Sequence, residues 1–552
     1  MPSRSFLSLV LCLLVHGLAA SADIPLTLSY STYLGGTNWE HARDIYVDTD
    51  GFTYVVGGTG SSDFAGASSF PGANTYNAGQ PNSAADGAFG GCDVFITKLS
   101  PTGQVVWTKY MGGANYDRAY AIELDAAGNI YIAGRAGRGF PMVNAMQSTF
   151  SGTSSPSSYG DQNGFVAKLN PAGDVLWSTY VGTGELVRDL AIDASGDVYV
   201  PLTLATTSSR TAFNTAALSA FQGKFANSPP TTNTNDVGVV KLYGDGSGVA
   251  WARWIGGSGS EVTNPSIRVN AAGEAHLLFS TTSTSSSLPA VGAGTQTDNG
   301  GADDSYLAKV AADGTGLVFG TYLGGTGSEA HETHSLALDA DGNAVVAIHT
   351  SSANFPVTPG AANSAARGAA DIGIVKYNAS GARVLSAVVG GSGSENPDGI
   401  YVDASGRVYI AFETSSTNFA MTAGAFDLTA NGSNDGGFLV LSADFTHLEY
   451  ATLFGGSLYD NARTLFLGSN GSVYLTGGTL STNLPTLNAA DSTFNGGSHP
   501  FAPGSGDAWV ARFSVPEPSA GALVLAGASL LGCTRARGAR SEAFIRSAGK
   551  SE

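Results

Sequence analysis

The chain is poor in cysteine and in charge. Only 3 of its 552 residues are cysteine, and Asp, Glu, Lys and Arg together make up 13%. Cys12 and Cys533 lie near the two ends, so if both ends are removed Cys92 is the one thiol left and no internal disulfide can form. So few charges argue against a long solvated helical bundle. The 75 glycines between short apolar and aromatic runs are instead typical of a β-rich, turn-rich protein.

Basic residues are especially scarce. The chain has 26 Lys and Arg against 44 Asp and Glu, and six of the basic but only three of the acidic residues lie within 1–22 and 515–552. The body between those ends therefore carries a formal charge of −21. Because such a surface repels a phosphate backbone, we expect no nucleic-acid partner, whereas cations and neutral sugars remain compatible.

The N-terminal residues have the pattern of a signal peptide. Arg4 precedes an apolar run over 6–15, and the small residues Ala20 and Ala22 follow. This pattern predicts export, with residues 1–22 removed by cleavage after Ala22. A lipoprotein anchored through Cys12 is disfavoured, because Leu11 stands where a small residue is needed.

The body consists of seven copies of one unit of about 70 residues. A phrase such as "TYLGG" or "KYMGG" recurs, and each copy also contains four short strand-like runs, here A to D. In the first copy these are "DIYVD" (44–48), "FTYVVGG" (52–58), "DVFITKL" (93–99) and "QVVWTKYMGG" (104–113). The first glycine of the recurring phrase lies at Gly35, Gly112, Gly182, Gly256, Gly324, Gly390 and Gly455.

The chain starts with strand D and ends with strand C. An open array would leave both as bare sheet edges, which promote aggregation. Pairing 26–34 with 507–513 removes both edges and closes a ring. The sequence therefore predicts an all-β, seven-bladed β-propeller over residues 23–514, with four antiparallel strands per blade and an interlocked last blade.

The repeats resemble a known family. "YSTYLGGTNWEHARDIYVDTDGFTYVVGGT" and "TYLGGTGSEAHETHSLALDADGNAVVAIHTSSANFPVT" are similar to the SBBP repeats of bacterial β-propellers. The resemblance extends over about 26–513. It implies an exported propeller and brings no established catalytic motif.

The C-terminal segment 515–540 resembles a PEP-CTERM sorting signal. It has the tripeptide Pro516, Glu517 and Pro518, then an apolar stretch over 520–533, then arginines. The resemblance implies a partner enzyme of the exosortase type and delivery to the cell surface or extracellular matrix. The apolar stretch is short for a stable span of about 20 residues, so we expect a temporary membrane anchor. Residues 541–552 form a polar tail.

Two further patterns recur in every copy. The longest and most variable segments lie between strands B and C, which favours a binding surface on one face of the disc. Regular aromatic columns favour packing between blades over sugar stacking. The two columns are Tyr30, Trp107, Trp177, Trp251, Phe319, Leu385 and Tyr450, and Tyr54, Tyr131, Tyr199, His276, Val345, Tyr409 and Tyr474.

Acidic residues also recur at one position after each glycine pair. Such a display is a candidate site for divalent cations, calcium above all, because hard cations prefer several oxygen ligands. The alternative is local, since carboxylates cap turn amides. "HETH" (331–334) lacks the spacing of a zinc-protease motif. The candidate metal ligands are Glu40, Asp117, Glu261, Glu329, Glu395 and Asp460, with Glu185 at the same position of the third copy.

These patterns favour an exported, non-enzymatic propeller that binds or scaffolds at the surface or in the matrix. Its partner would be an extracellular polysaccharide or another surface protein. The sequence predicts no catalytic residue and no organic cofactor. Two alternatives stay open: a glycan-active hydrolase or lyase with carboxylates at the propeller mouth, and a calcium-stabilised adhesion module.

Overall fold

The computed structural model describes most of the predicted propeller. It covers residues 26–61, 63, 67–69, 91–113, 115–152, 159–182, 186–204, 220–221, 223–227, 235–362, 368–497 and 506–515. Ala22, Glu185, Pro516, Glu517 and Pro518 lie outside these residues, so the predicted processing sites have no structural description. Over the described ranges, no helix is long and apolar enough to cross a membrane.

Thirty-one strands make up this part of the chain. The first sixteen are β1 Thr27–Leu34, β2 Glu40–Val47, β3 Thr53–Thr59, β4 Ala67–Ser69, β5 Asp93–Leu99, β6 Val105–Met111, β7 Arg118–Leu124, β8 Ile130–Ala136, β9 Asn163–Leu169, β10 Val175–Val181, β11 Leu186–Val187, β12 Ala191–Ile192, β13 Val198–Leu204, β14 Asp236–Leu242, β15 Val249–Ile255 and β16 Glu261–Val269. The others are β17 Ala275–Thr281, β18 Asp304–Val310, β19 Leu317–Leu323, β20 Glu329–Ala330, β21 Leu336–Leu338, β22 Ala344–Thr350, β23 Asp371–Tyr377, β24 Arg383–Val389, β25 Glu395–Val402, β26 Val408–Thr414, β27 Asp435–Leu441, β28 Leu448–Phe454, β29 Asp460–Leu467, β30 Val473–Thr479 and β31 Asp507–Ser514.

These strands form seven sheets of the predicted kind. Each sheet contains the antiparallel order A-B-C-D, and strand A is divided into two short pieces in the third and fifth blades. In the first blade the short strand β4 adds a parallel fifth strand outside strand D. Residues from all seven A strands line one central cavity, so the sheets surround a common axis. The predicted all-β, seven-bladed propeller is confirmed.

The last blade takes its outer strand from the start of the chain. β1 pairs antiparallel with β31, with Tyr33 opposite Trp509 and Leu34 opposite Ala508. The remaining strands of that sheet, β30 and β29, follow in order. The predicted ring closure is therefore confirmed, and neither terminal strand is left with the bare edge expected of an open array.

Aromatic side chains fill the space between blades, as the columns predict. The Tyr30 ring lies against Gly103 in the turn of the next blade, where a Cβ atom would come within 2.6 Å of the ring. Gly103 also has a φ of +83°, so both the backbone conformation and the close approach of the ring require glycine here. Trp177, Trp251 and Phe319 contact equivalent glycines in the same way.

The B–C segments do not simply form a face of the disc. Their described parts run back along the outer strand D of the same blade, in all seven blades. Val143 bridges Ser178, and Leu487 bridges Ser31. The amide of Thr358 donates to Ser386 O, and β4 pairs with β6. These segments therefore cover the exposed edge of the outermost strand, a role that the sequence analysis did not predict, while the binding face stays a prediction.

Candidate functional site

All seven A strands are interrupted at the same level of the channel. In the first blade the pairing between β2 and β3 skips Arg43, and in the second blade the pairing between β7 and β8 skips Tyr120. A β-bulge of this kind turns one side chain away from the sheet, here toward the axis. The residues at this level are Arg43, Tyr120, Arg188, Asn264, Glu332, Asp398 and Arg463.

This level breaks the sevenfold pattern of the chain. Glycines, aromatic columns and acids recur with little change, whereas the bulge position holds Arg, Tyr, Asn, Glu or Asp according to the blade. A structural role repeats with the blade, but a binding or catalytic site is built once. The bulge residues are therefore the best candidates for function in the described part of the channel.

Four arginines surround Tyr120, and we call these five residues the entrance cluster. The guanidinium carbons of Arg43, Arg118, Arg135 and Arg188 lie 5.1, 4.6, 5.3 and 4.4 Å from the centre of the Tyr120 ring. The cluster lies at the end of the channel where the A strands begin. The B–C segments reach the same end, which we call the loop face.

The four arginines of the entrance cluster make no direct ion pair with a carboxylate of the described residues, although Asp398 acts on Arg43 and Glu332 on Arg188 at longer range. No ion pair among the described residues includes any of the four arginines. Arg118 donates one hydrogen bond to the Tyr120 hydroxyl and is 3.2 Å from His41 Nδ1. Tyr120 is buried, whereas Arg188 is half-buried.

The charges of the cluster shift the pKa values of Tyr120 and Arg43. Burial raises the pKa of the Tyr120 phenol, but the four guanidinium groups outweigh it and hold that pKa well below its usual value. Burial, with repulsion from Arg118 and Arg463, lowers the pKa of Arg43 to about 9. Several guanidinium groups in one low-dielectric site stabilise a negative charge beside them. That charge can be the phenolate form of Tyr120 or an anionic group of a ligand.

An acidic wall faces the arginines across the channel. Asp398 accepts a hydrogen bond from Arg463 Nη1 at 3.0 Å, and Glu332 accepts one from Asn264 Nδ2 at 3.0 Å. Burial raises the pKa of Asp398 to about 7, with Glu332 adding to the effect and Arg463 opposing it. One side of the channel therefore offers cations and the other offers hydrogen-bond acceptors.

His334 closes the channel below this level. It lies in the two-residue insertion of the fifth blade and has a φ of +67°, in the left-handed region. Its Nε2 is 2.9 Å from Tyr120 O, and its Nδ1 is 3.3 Å from Asp189 Oδ1. Burial alone would lower the pKa of His334, but the carboxylates of Asp44 and Asp189 have the larger effect and raise it to about 9. The ring is therefore cationic at neutral pH.

The six predicted metal ligands lie away from this site. Each is buried and accepts a hydrogen bond from the second glycine of its own repeat phrase. The amide-to-carboxylate distances lie between 2.7 and 3.1 Å in Glu40, Asp117, Glu261, Glu329, Glu395 and Asp460. Five of them also accept from a threonine hydroxyl of strand B, and Asp117 accepts from the amide of Gly137.

These contacts are those of the turn-capping alternative. Within the described ranges, no group of three or more His, Cys, Asp or Glu side chains is placed to hold a metal ion. The acids stay in their own blades and do not converge. A calcium-dependent module remains a prediction that the contacts do not test.

Comparisons with known proteins identify no family for this chain. No protein-family model matches the chain, and no curated protein matches it. A protein of unknown function from Dyadobacter fermentans DSM 18053 aligns over 89% of this chain and 100% of its own, with 10% identity and a TM-score of 0.40. An ulvan lyase bound to -[GlcA(1-4)Rha3S]- aligns over 82% and 92%, with 12% identity and a TM-score of 0.42. The phage phi92 endosialidase aligns over 89% and 70%, with 7% identity and a TM-score of 0.39.

At such identities the likeness concerns the fold alone. The activities named for these structures are not transferred to this chain. The resemblances to SBBP repeats and to a PEP-CTERM signal remain predictions.

The buried carboxyls give the fold a pH dependence that can be measured. A Cβ atom on Gly35 would lie 2.4 Å from Asp507 Oδ1 and 2.6 Å from Glu40 Oε2, so the two acids flank one glycine. Burial is the main cause that raises the pKa of Glu40 to about 8 and that of Asp507 to about 7. The folded state therefore holds protons that the unfolded state releases, and stability falls as pH rises through about 4.5 to 8.

We expect Glu40→Gln to reduce this loss. Wild-type protein should lose about 2–3 kcal/mol of stability from Glu40 between about pH 6 and pH 9. The amide cannot ionise, so the variant should lose less over the same range in urea denaturation. Asp341→Asn is the matched control, because Asp341 is exposed. Equal pH dependence in Glu40→Gln and wild type would contradict the assignment.

Proposed function

We propose that the protein is an exported binding protein that captures anionic groups of an extracellular glycan at the loop-face end of its channel. The observation that carries the proposal is the entrance cluster, in which four guanidinium groups surround one tyrosine without a carboxylate partner among the described residues. Guanidinium groups bind carboxylate and sulfate groups through paired hydrogen bonds. Arg188 is the half-buried member that a ligand would meet first.

The acidic wall favours a sugar over a simple inorganic anion. A phosphate or sulfate ion would satisfy the arginines and be repelled by Glu332 and Asp398. An acidic sugar has both an anionic group and hydroxyl donors, so it can satisfy both sides of the channel at once. The body carries a net negative charge, so recognition would occur at contact range rather than by long-range attraction.

We expect Arg188→Ala to weaken binding of an acidic oligosaccharide. The probe is an oligogalacturonate, and calorimetry gives its affinity for each variant. Loss of one cation facing a carboxylate should lower the affinity at least about tenfold. The fully methyl-esterified oligomer, which has the same sugars without the charge, should not bind at the entrance cluster.

A matched variant separates this site from general surface charge. Arg138 has a side chain that is 63% exposed, so Arg138→Ala removes an equal charge outside the channel and should leave the affinity unchanged. Equal binding of both oligomers, or equal loss in both arginine variants, would contradict the proposal.

Export and sorting form the second part of the proposal. They rest on the leader 1–22 and on the segment 515–540, with an exosortase-type enzyme as partner. Fractionation of cells that express the chain with and without 515–552 tests this part. An unchanged surface location of the truncated chain would overturn the sorting role and leave ligand binding unaffected.

A glycan-cleaving enzyme is the second candidate. It is favoured by two titratable groups whose environments move their pKa values in opposite directions, the Tyr120 phenol downward and the Asp398 carboxyl upward. Such a pair can supply a base and an acid near neutral pH. Release of new sugar ends from the oligogalacturonate, abolished in both Tyr120→Phe and Asp398→Asn, would favour this candidate over binding alone.

A further inference from the structure

The central cavity lies on the other side of His334 from the entrance cluster. It has a volume of about 250 Å³ and is lined by Tyr46, Glu123, Arg268, His334, Tyr401 and Phe466, among others. Its half-buried members stand near the ends of the A strands, where the short A–B turns begin. The cavity therefore opens on the face opposite the long B–C segments, and we call it the turn-side cavity.

Three aromatic rings form one wall of the turn-side cavity. The centre of the Phe466 ring is 4.7 Å from that of Tyr46 and 5.8 Å from that of Tyr401. The rings come from three different blades, where each lines the cavity and also packs against a core cluster between two sheets. All three are half-buried and line the cavity, so aromatic rings form part of its wall.

The facing wall is polar and has unused hydrogen-bonding capacity. Glu123 makes no hydrogen bond or ion pair with any residue of the described ranges, although it is half-buried. Burial, together with the negative charges of Asp44 and Asp189, raises the pKa of Glu123 to about 7. Arg268 and His334 act in the opposite direction and lower it. Arg268 is held in place, because its Nη1 donates to Asp189 Oδ2 at 2.9 Å.

The charges that line the cavity nearly cancel. Asp44 and Asp189 are balanced by Arg268 and His334, and Glu123 is partly protonated near neutral pH. Neither a strongly cationic nor a strongly anionic ligand is therefore favoured. His334 also blocks the inner end, so the cavity accepts the end of a chain and not a chain that passes through.

We propose that the turn-side cavity binds one uncharged sugar ring, the terminal residue or a side branch of a glycan. The aromatic wall suits the apolar face of a pyranose, and Glu123 and Arg268 suit its hydroxyl groups. The volume is just under the usual range of about 300–1,000 Å³ for small-molecule sites, as expected for a single ring. This site is separate from the entrance cluster and does not depend on the function proposed for it.

Ligand-observed NMR with the folded mature chain tests the proposal. The probes are the methyl glycosides of glucose, galactose, mannose and rhamnose, together with putrescine as a cationic probe. We expect saturable binding of at least one glycoside at millimolar concentration, as is usual for a single ring. Phe466→Ala should weaken it at least tenfold, and Glu123→Gln should weaken it less while keeping the shape of the cavity.

Two controls keep the outcome unambiguous. Tyr243→Ala removes an aromatic ring that is 43% exposed, and Arg138→Ala removes a cation whose side chain is 63% exposed; both should leave glycoside binding unchanged. Each variant is first checked for folding by thermal unfolding, and Glu123→Gln carries the test if Phe466→Ala does not fold. Absence of saturable glycoside binding, binding of putrescine alone, or unchanged affinity in the cavity variants would overturn the proposal.

Discussion

A mature chain that lacks residues 26–36 does not form a soluble, folded monomer. The deletion removes β1, and with it Leu26, Tyr30, Tyr33 and Leu34, none of which is more than 3% exposed. Burial of each such side chain contributes about 1.5–3 kcal/mol, so the four together approach the whole stability of a typical domain. The deletion also leaves the backbone N–H and C=O groups along one edge of β31 unpaired, and such an edge can pair with another chain. Size-exclusion chromatography with light scattering, followed by thermal unfolding, measures the result.

A circular permutant provides the matched control. It starts at residue 37, continues to 514, and then adds a copy of the turn 100–104 followed by 26–36. Every other blade joins strands C and D through such a turn, so the permutant restores the missing strand to its own sheet. We expect a monomer that melts near the wild-type temperature. A well-behaved monomer from the plain deletion would contradict the ring closure.

Replacing His334 by Asn destabilises the centre of the ring. The change removes a buried cation whose Nδ1 is 3.3 Å from Asp189 Oδ1 and leaves Asp44 and Asp189 without it. Breaking a buried ion pair costs about 3–5 kcal/mol. Because Asp189 keeps its ion pair with Arg268, we expect a loss near the lower end of that range in the free energy of unfolding from urea denaturation. Asn is chosen because it tolerates the left-handed backbone that His334 adopts, so the backbone cost is small.

The pH dependence separates this effect from lost packing. Because the pKa of His334 is raised to about 9, its contribution is complete below about pH 6.5 and is lost as pH rises through about 9. The shift corresponds to about 3 kcal/mol. In His334→Asn this part of the alkaline loss should disappear, while the part due to carboxyls such as Glu40 stays. His447→Asn, at an exposed site, should behave as wild type. The same alkaline loss in His334→Asn would contradict the assignment.

The fold was readable from the sequence because its determinants repeat. The third strand predicted at 93–99 is β5 at the same bounds, and the pairing predicted for 26–34 with 507–513 is that of β1 with β31. The first strand was predicted too short, at 44–48 against Glu40–Val47, because the bulge at Arg43 interrupts the alternation of polar and apolar residues. The course of the B–C segments could not be read, since their pairing with strand D depends on tertiary contacts.

The site was missed for the opposite reason. Its residues are those that do not repeat, and two insertions, one before Ser266 and one at His334, change the spacing from these residues to the rest of strand A. Aligning each copy on its recurring acid would have placed Arg43, Tyr120, Asp398 and Arg463 in one column three residues later. That column of unlike charged residues was the available signal. Arg118 and Arg135 carry no such signal, because the geometry of the sheet alone brings them to Tyr120.

Ultraviolet difference spectroscopy of Tyr120 tests the positive charge of the entrance cluster most directly. The chain has 21 tyrosines, and the phenolate band of each appears as it ionises. The pH titration of wild-type protein is compared with that of Tyr120→Phe. The account predicts that one phenolate forms well below the ordinary tyrosine pKa of about 10 and that this step is missing in the variant. Identical titrations of the two proteins, with no tyrosine ionised near neutral pH, would contradict it.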